Sequence, residues 1–268
     1  MNNFLNILND DVIINTKYIN KTLKTLASDD FDDGSILYEM NEHGYRSPSL
    51  KNKKSYNILT LGCSWTMGVG VRNEFSWPVL TTKLLEQSTN KNISCFNYSM
   101  YGTSTSFVAK TLYKFTKTYF IPDMVLIMWP GFSRRDYIKS DGSFKKIGGF
   151  RLAEKNDLVW KNDDEDMAFL QLRNDFQDIM VFWEAYKLVE TIGQLYNIKI
   201  FHSVAGYYYD IFMEYKSLWS TFVNSQTLFI PHMCHKNDGL GRDKKHPGES
   251  WHVNFSKEFH KFITNRDI

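Results

Sequence analysis

The sequence predicts an α/β fold: a three-layer sandwich built on a mainly parallel sheet of about five strands. Short β-type apolar runs alternate with longer amphipathic stretches, which is how parallel strands joined by crossover helices read. A composition of 43% hydrophobic and 16% aromatic residues is that of a packed globular chain, not a disordered one. Its 268 residues suffice for one large domain with a sizeable core.

Residues 1–54 are polar and rich in Asn, Asp and Lys, and are expected to be an N-terminal extension packing on a core domain over 55–268. The first strand is NILTLG, Asn57 to Gly62, followed by a loop of some dozen residues and a helix opening near Trp77-Pro78, since proline suits a first helical turn. A second strand, Ile93 to Tyr98, leads to a helix from Thr105 to Tyr119. After Pro122 a third strand runs from Met124 to Trp129. A polar, glycine-containing insertion occupies Asp136 to Asp166. The helix that follows reaches Tyr196, with Phe169, Leu172, Phe176, Ile179, Met180, Trp183, Leu188 and Ile192 at helical spacing. A strand from Ile198 to Val204, a helical stretch from Tyr207 to Phe222, a short strand from Leu228 to Ile230 and a helix from Asn254 to Ile263 complete the chain.

With 32 Lys+Arg against 30 Asp+Glu, the net charge of +2 gives no general electrostatic reason to bind nucleic acid or anionic membrane. No apolar run approaches the roughly 20 residues of a membrane span. The start lacks the features of a secretory leader, and Cys63, Cys95 and Cys234 form no paired framework, so a cytoplasmic protein with free thiols is expected. Release from the cell, or carriage in a virion, is the alternative to that compartment. Nothing in the sequence sets an oligomeric state.

Three segments carry the candidate chemistry: LGCSWTMGVGV (Leu61 to Val71), NYSMYGTS (Asn97 to Ser104) and DKKHPGESWH (Asp243 to His252). The first two would lie just beyond the carboxyl ends of strands and the third before the last helix, at the edge where open α/β sheets bind ligands. A serine hydroxyl needs a base to take its proton, and a carboxylate can orient and stabilise the imidazolium that results. Ser64, His246 and Asp243 supply those groups, and the D-x-x-H spacing lets the last two share a hydrogen bond. Taken singly, a serine among glycines or an aspartate before Lys-Lys-His-Pro-Gly is more often a turn residue.

The block G-C-S-W-T-M-G-V-G-V resembles the first block of the SGNH/GDSL hydrolases, and Asp243-Lys-Lys-His246-Pro247 resembles their final D-x-x-H-P block. Gly102 stands where their second-block glycine is expected, and N-E-H-G-Y-R (Asn41 to Arg46) is similar to the lead-in of many divergent members. The resemblance implies a flavodoxin-like strand order and a serine ester hydrolase that needs no cofactor. In it Ser64 is the nucleophile, His246 the base, Asp243 its orienting acid, and the N–H groups of Ser64 and Gly102 the oxyanion donors. The implied substrate is a small-molecule or glycan ester, with carbohydrate O-acetyl groups a plausible target. The rival reading is a noncatalytic carbohydrate-binding or structural protein on a degenerate fold of this kind.

Two positions depart from the family pattern. Cys63 replaces the usual aspartate before the serine and is itself a rival nucleophile. After the third strand, W-P-G-F-S-R-R (Trp129 to Arg135) replaces G-x-N-D, so the side-chain amide of the oxyanion hole is missing; Ser133, Arg134 or a backbone N–H is the expected substitute, the alternative being that Arg134 and Arg135 are a solvated pair. Trp65, Trp129 and His252 are expected at the substrate, His252 also as a rival base, although Trp65, Trp77 and Trp251 are of a type more often found in a core. His202, His232, Cys234, His235, His246 and His252 match no well-formed zinc signature, so no metal is expected.

Overall fold

The computed structural model describes residues 18–24, 35–138, 144–147, 172, 174–205, 214–215, 230–232 and 239–267. Its strands in chain order are β1 (Thr22–Leu23), β2 (Tyr38–Glu39), β3 (Tyr56–Gly62), β4 (Ile93–Asn97), β5 (Met124–Trp129), β6 (Arg135–Ile138), β7 (Phe144–Ile147), β8 (Lys199–Ala205) and β9 (Ile230–His232). The α-helices are α1 (Ser64–Met67), α2 (Trp77–Thr89), α3 (Thr105–Thr118), α4 (Asp175–Tyr196) and α5 (Glu249–Asp267). The main sheet has the order β4-β3-β5-β8-β9, with every pair parallel, so the predicted strand count and flavodoxin-like order hold.

Alternation along β5 shows why this is a three-layer fold. Val125, Ile127 and Trp129 face a core shared with α3 and α4, while Met124, Leu126 and Met128 face one shared with α2 and α5. A strand covered on both faces reads as one continuous apolar run, as MVLIMW does. On α5, Trp251, Phe255, Phe259 and Ile263 recur at one-turn spacing and are fully buried, each contributing about 1.5–3 kcal/mol of apolar burial. They meet Trp77 and Leu85 of α2 in the second core.

Several boundaries differ from the sequence reading. The loop after β3 holds the one-turn helix α1, too short to leave a periodic signal. The final helix starts at Glu249, not Asn254, and takes in Trp251 and His252. The last strand is displaced to Ile230–His232. On α4 the buried stripe is Ile179, Phe182, Trp183, Tyr186, Val189 and Ile192, whereas Phe176, Met180 and Leu188 are exposed, as is Leu172 ahead of the helix. Apolar residues surround this helix on several sides, and packing of Phe182 against Trp129 and Phe132 sets the phase. Within the insertion β6 pairs antiparallel with β7; the remainder, like the stretch expected to be helical from Tyr207 save residues 214–215, lies outside the described residues.

The described residues ahead of β3 pack against the residues that follow Ser64 and against the first core. Tyr18, Ile36, Tyr38 and Met40 form a third cluster with Met67 and Val69, which lie just beyond Ser64, and Tyr45 belongs to the first core.

Candidate active site

β3 ends at Gly62, paired in register with Met128 of β5, and a Cβ on Gly62 would lie 2.7 Å from the Met128 carbonyl and 2.2 Å from Thr66 Oγ1. Only glycine lets the chain turn so closely into α1. Ser64 is the first residue of that turn, 4% exposed. Among the described residues its hydroxyl has no hydrogen-bond partner, and its N–H, as a first-turn donor, has no intrahelical acceptor. The loop after β4 lies alongside: Met100 N–H and Thr103 Oγ1 both donate to the Gly62 carbonyl, at 3.4 and 3.0 Å. Between them Gly102 takes φ +70°, and its N–H is unbonded among the described residues.

The loop before α5 presents Asp243 and His246 as one bonded unit. Asp243 Oδ1 accepts the N–H groups of Lys245 and His246, at 3.2 and 3.0 Å, and Oδ2 accepts from His246 Nδ1. A carboxylate can only accept, so the shared proton sits on Nδ1, and in the neutral ring it is Nε2 that carries the lone pair. Burial pushes the Asp243 carboxyl up, but the hydrogen bonds and charge of His246 outweigh this and hold it below the ordinary carboxylate value. Both residues are buried, Asp243 at 2% and His246 at 8% exposure, and Nε2 has no partner among the described residues.

Backbone bonds join this unit to the serine loop. Arg242 N–H donates to the Gly70 carbonyl at 2.8 Å, and Val69 N–H donates to the Ser64 carbonyl at 3.0 Å. Gly70 has φ +81°, and a Cβ there would come within 2.8 Å of Asp243 Oδ1. The acid therefore rests directly on the loop that leaves the serine.

Arg46 and Tyr38, to which the sequence reading gave no role, hold that loop from the other side. Arg46 is 2% exposed; its Nη1 donates to the carbonyls of Gly68 at 2.6 Å and Val71 at 3.1 Å, and its Nη2 to Leu37 at 3.1 Å. Burial lowers its pKa to about 10, against the favourable neighbour Tyr38, whose ring lies 4.5 Å from the guanidinium carbon. The Tyr38 hydroxyl accepts from Gly70 N–H at 2.9 Å, and Arg242 also reaches over the Tyr38 ring. The motif N-E-H-G-Y-R was visible in the sequence, but a buried arginine serving carbonyls has no sequence signature of its own. A cleft of about 510 Å³ flanks this junction, lined by Ser35, Ile36, Gly70, Arg72, Gly241 and Arg242 among others; neither Ser64 nor His246 lines it.

On the far side, the chain leaving β5 turns back through a bond from Arg134 N–H to the Gly131 carbonyl. The two arginines are not a solvated pair. Arg135 is bound to Asp178 at 2.5 Å and donates to the carbonyls of Phe132 and Arg134. Arg134 is 7% exposed, with Nε and Nη1 enclosed and unbonded. Ser133, 5% exposed, has no partner on its hydroxyl among the described residues. Asp136 accepts from Ser104 Oγ, which ties this loop to the one after β4.

The three residues expected at the substrate are all buried. Trp129 sits in the first core at 0% exposure, its indole N–H donating to His202 Nδ1 at 3.0 Å. Trp65 packs edge-on against Trp251 with ring centroids 5.1 Å apart. His252 is fully buried in the first turn of α5, and its Nδ1 accepts Trp77 N–H at 3.1 Å. Burial, with Arg46 and His246 nearby, lowers its pKa to about 3, so it is neutral. Of the other residues weighed as zinc ligands, His202 bonds Trp129 and Glu190, while 233–238 lie outside the described residues.

No family model matches the chain, and no curated protein matches it. Solved structures share its fold. A psychrotrophic esterase, EstA from Pseudoalteromonas sp., solved inhibited by monoethylphosphonate, is 14% identical with a TM-score of 0.51, covering 79% of this chain and 98% of its own. The lipase Lip_vut3 from a goat rumen metagenome is 13% identical with a TM-score of 0.51, covering 78% of this chain and 97% of its own.

Proposed function

We propose that the chain is a serine ester hydrolase of the SGNH type, with Ser64 as nucleophile, His246 as general base and Asp243 as its orienting acid. The observation that carries the reading is the packing of the bonded Asp243–His246 unit on Gly70, in the loop that leaves Ser64. An unbonded serine hydroxyl and an imidazole with a free lone pair are the two groups acyl transfer needs.

In the proposed reaction Ser64 Oγ attacks the ester carbonyl while its proton passes to His246 Nε2. The imidazolium is stabilised by Asp243 Oδ2. The tetrahedral oxyanion is met by the N–H groups of Ser64 and Gly102, with Ser133 or Arg134 supplying the donor that other members take from asparagine. Collapse expels the alcohol, which takes the proton from His246. Water then attacks the acyl-serine, again giving its proton to His246; the carboxylic acid leaves and Ser64 recovers its proton. Trp65 and His252 back the site, and the alcohol half of the substrate can be a sugar. No step calls for a cofactor.

Steady-state kinetics on an activated acetyl ester test this. Ser64→Ala and His246→Ala should each lower kcat by about 10³-fold or more, and the double variant should be little worse, because such residues act as a unit. Retention of most activity by folded Ser64→Ala would refute the assignment.

A further inference from the structure

Arg134 differs from Arg46 and Arg135 in how little its charge is used. Arg46 spends its Nη groups on carbonyls and Arg135 is bound to Asp178. Arg134 is 7% exposed, yet its Nε and Nη1 are enclosed without an acceptor, and no ion pair among the described residues includes it. Nη2 is the one nitrogen of the group that is not enclosed. The nearby acids are committed elsewhere, Asp136 to Ser104 and Asp178 to Arg135. Burying a guanidinium cation without a partner is strongly unfavourable.

Its place in the fold narrows what the partner is. Met128 is in register with Gly62, so the loop bearing Ser133 and Arg134 leaves the same sheet edge as the loop bearing Ser64. The turn from Gly131 to Arg134 keeps it short, and the Ser104–Asp136 bond fastens it to the Gly102 loop. The open Nη2 group carries two N–H donors in a poorly hydrated setting, and a charged donor there is suited to a carboxylate or phosphate.

We propose that Arg134 receives a fixed negative charge on the substrate, so that the ester taken by this site is an anionic one. The proposal rests on the esterase reading above, and it leaves the oxyanion to Ser133 and the backbone N–H groups. Because the guanidinium has no hydrogen-bond or ion-pair partner among the described residues, its removal should not weaken the fold, unlike removal of a structural arginine.

The test compares wild type with Arg134→Gln and Arg134→Lys in two measurements. In thermal unfolding, millimolar inorganic phosphate or acetate should raise the wild-type Tm. Arg134→Gln should start at an equal or higher Tm and not respond, with Arg134→Lys restoring part of the response. In kinetics, 4-acetoxybenzoate is compared with 4-acetoxybenzamide, and 4-nitrophenyl hemiadipate with 4-nitrophenyl hexanoate, which places the charge on the alcohol or the acyl side. In one pair the wild-type preference for the anionic ester should fall about 10- to 100-fold in Arg134→Gln, through KM, as expected for a charge-assisted hydrogen bond. Equal loss of kcat on charged and neutral esters would make Arg134 an oxyanion donor and overturn the proposal, as would a lowered Tm with no anion response in wild type. An anion response with no turnover of any ester would overturn the esterase reading and leave the anion site standing.

Discussion

At the scale of single residues, each oxygen of Asp243 has its own task, Oδ1 fixing the backbone of the turn and Oδ2 fixing the imidazole. His252, the rival base, is differently placed: one nitrogen is occupied by Trp77 N–H, the other is enclosed, and the ring is fully buried. This difference has a measurable sign. With a folded value of about 3 against an ordinary 6.5, His252 refuses a proton that the unfolded chain accepts as pH falls below 6.5. Stability should therefore be intact above pH 6.5 and decline by up to about 1.4 kcal/mol per pH unit as the solution is acidified towards the folded value. Asp243 acts in a lower window: its contribution is intact above the ordinary 3.8 and is lost as pH falls through its depressed folded value. Urea unfolding from pH 7 to 4 should show the first slope in wild type and a flatter profile in His252→Asn, whose side-chain oxygen can still accept Trp77 N–H. Equal slopes would mean that His252 is not held neutral. The spacing D-x-x-H made Asp243 and His246 legible in the sequence because their contact is local. His252 follows His246 by six residues, but its partner Trp77 is distant in the chain, and the sequence alone left it a candidate base.

At the scale of elements, the segment from Met67 to Val71 is shaped as much by residues before β3 as by its own glycines. Arg46 gathers carbonyls of Gly68, Val71 and Leu37, and Tyr38 accepts Gly70 N–H, so a loop without regular structure has its polar groups satisfied by buried side chains. Replacing Tyr38 by Phe leaves that buried N–H without an acceptor and should cost about 1–3 kcal/mol. Arg46→Lys, which cannot span both Gly68 and Leu37, should cost about as much. Both variants should also lower kcat more than they raise KM, since Asp243 rests on the same loop; denaturant unfolding and ester kinetics measure the two effects. Unchanged kcat in stably folded variants would show that the clamp supports the fold alone. This device is not legible in the sequence because most of its contacts join positions more than 20 apart, such as Arg46 with Gly68. The sequence reading missed the α4 phase for another reason. Phe176, Met180 and Leu188 are apolar although exposed, so periodicity did not single out the stripe that docks on Trp129 and Phe132.

For the whole molecule, β5 was legible because a strand buried on both faces is a continuous apolar run, and the parallel order of β3, β5 and β8 follows from the helices between them. Strand β9 pairs with one neighbour among the described strands, and it begins two residues later than its sequence suggests. The convergence of Ser64, Gly102 and the loop after β5 follows from that topology, since β4, β3 and β5 are adjacent and point the same way. What the topology does not decide is whether the converged groups react. A fluorophosphonate probe decides it most directly, because it bonds only to an activated nucleophile. Mass spectrometry of the folded protein should find one adduct, on Ser64, absent from Ser64→Ala and formed far more slowly by His246→Ala. An adduct on Cys63, or none on folded wild-type protein, would contradict the account.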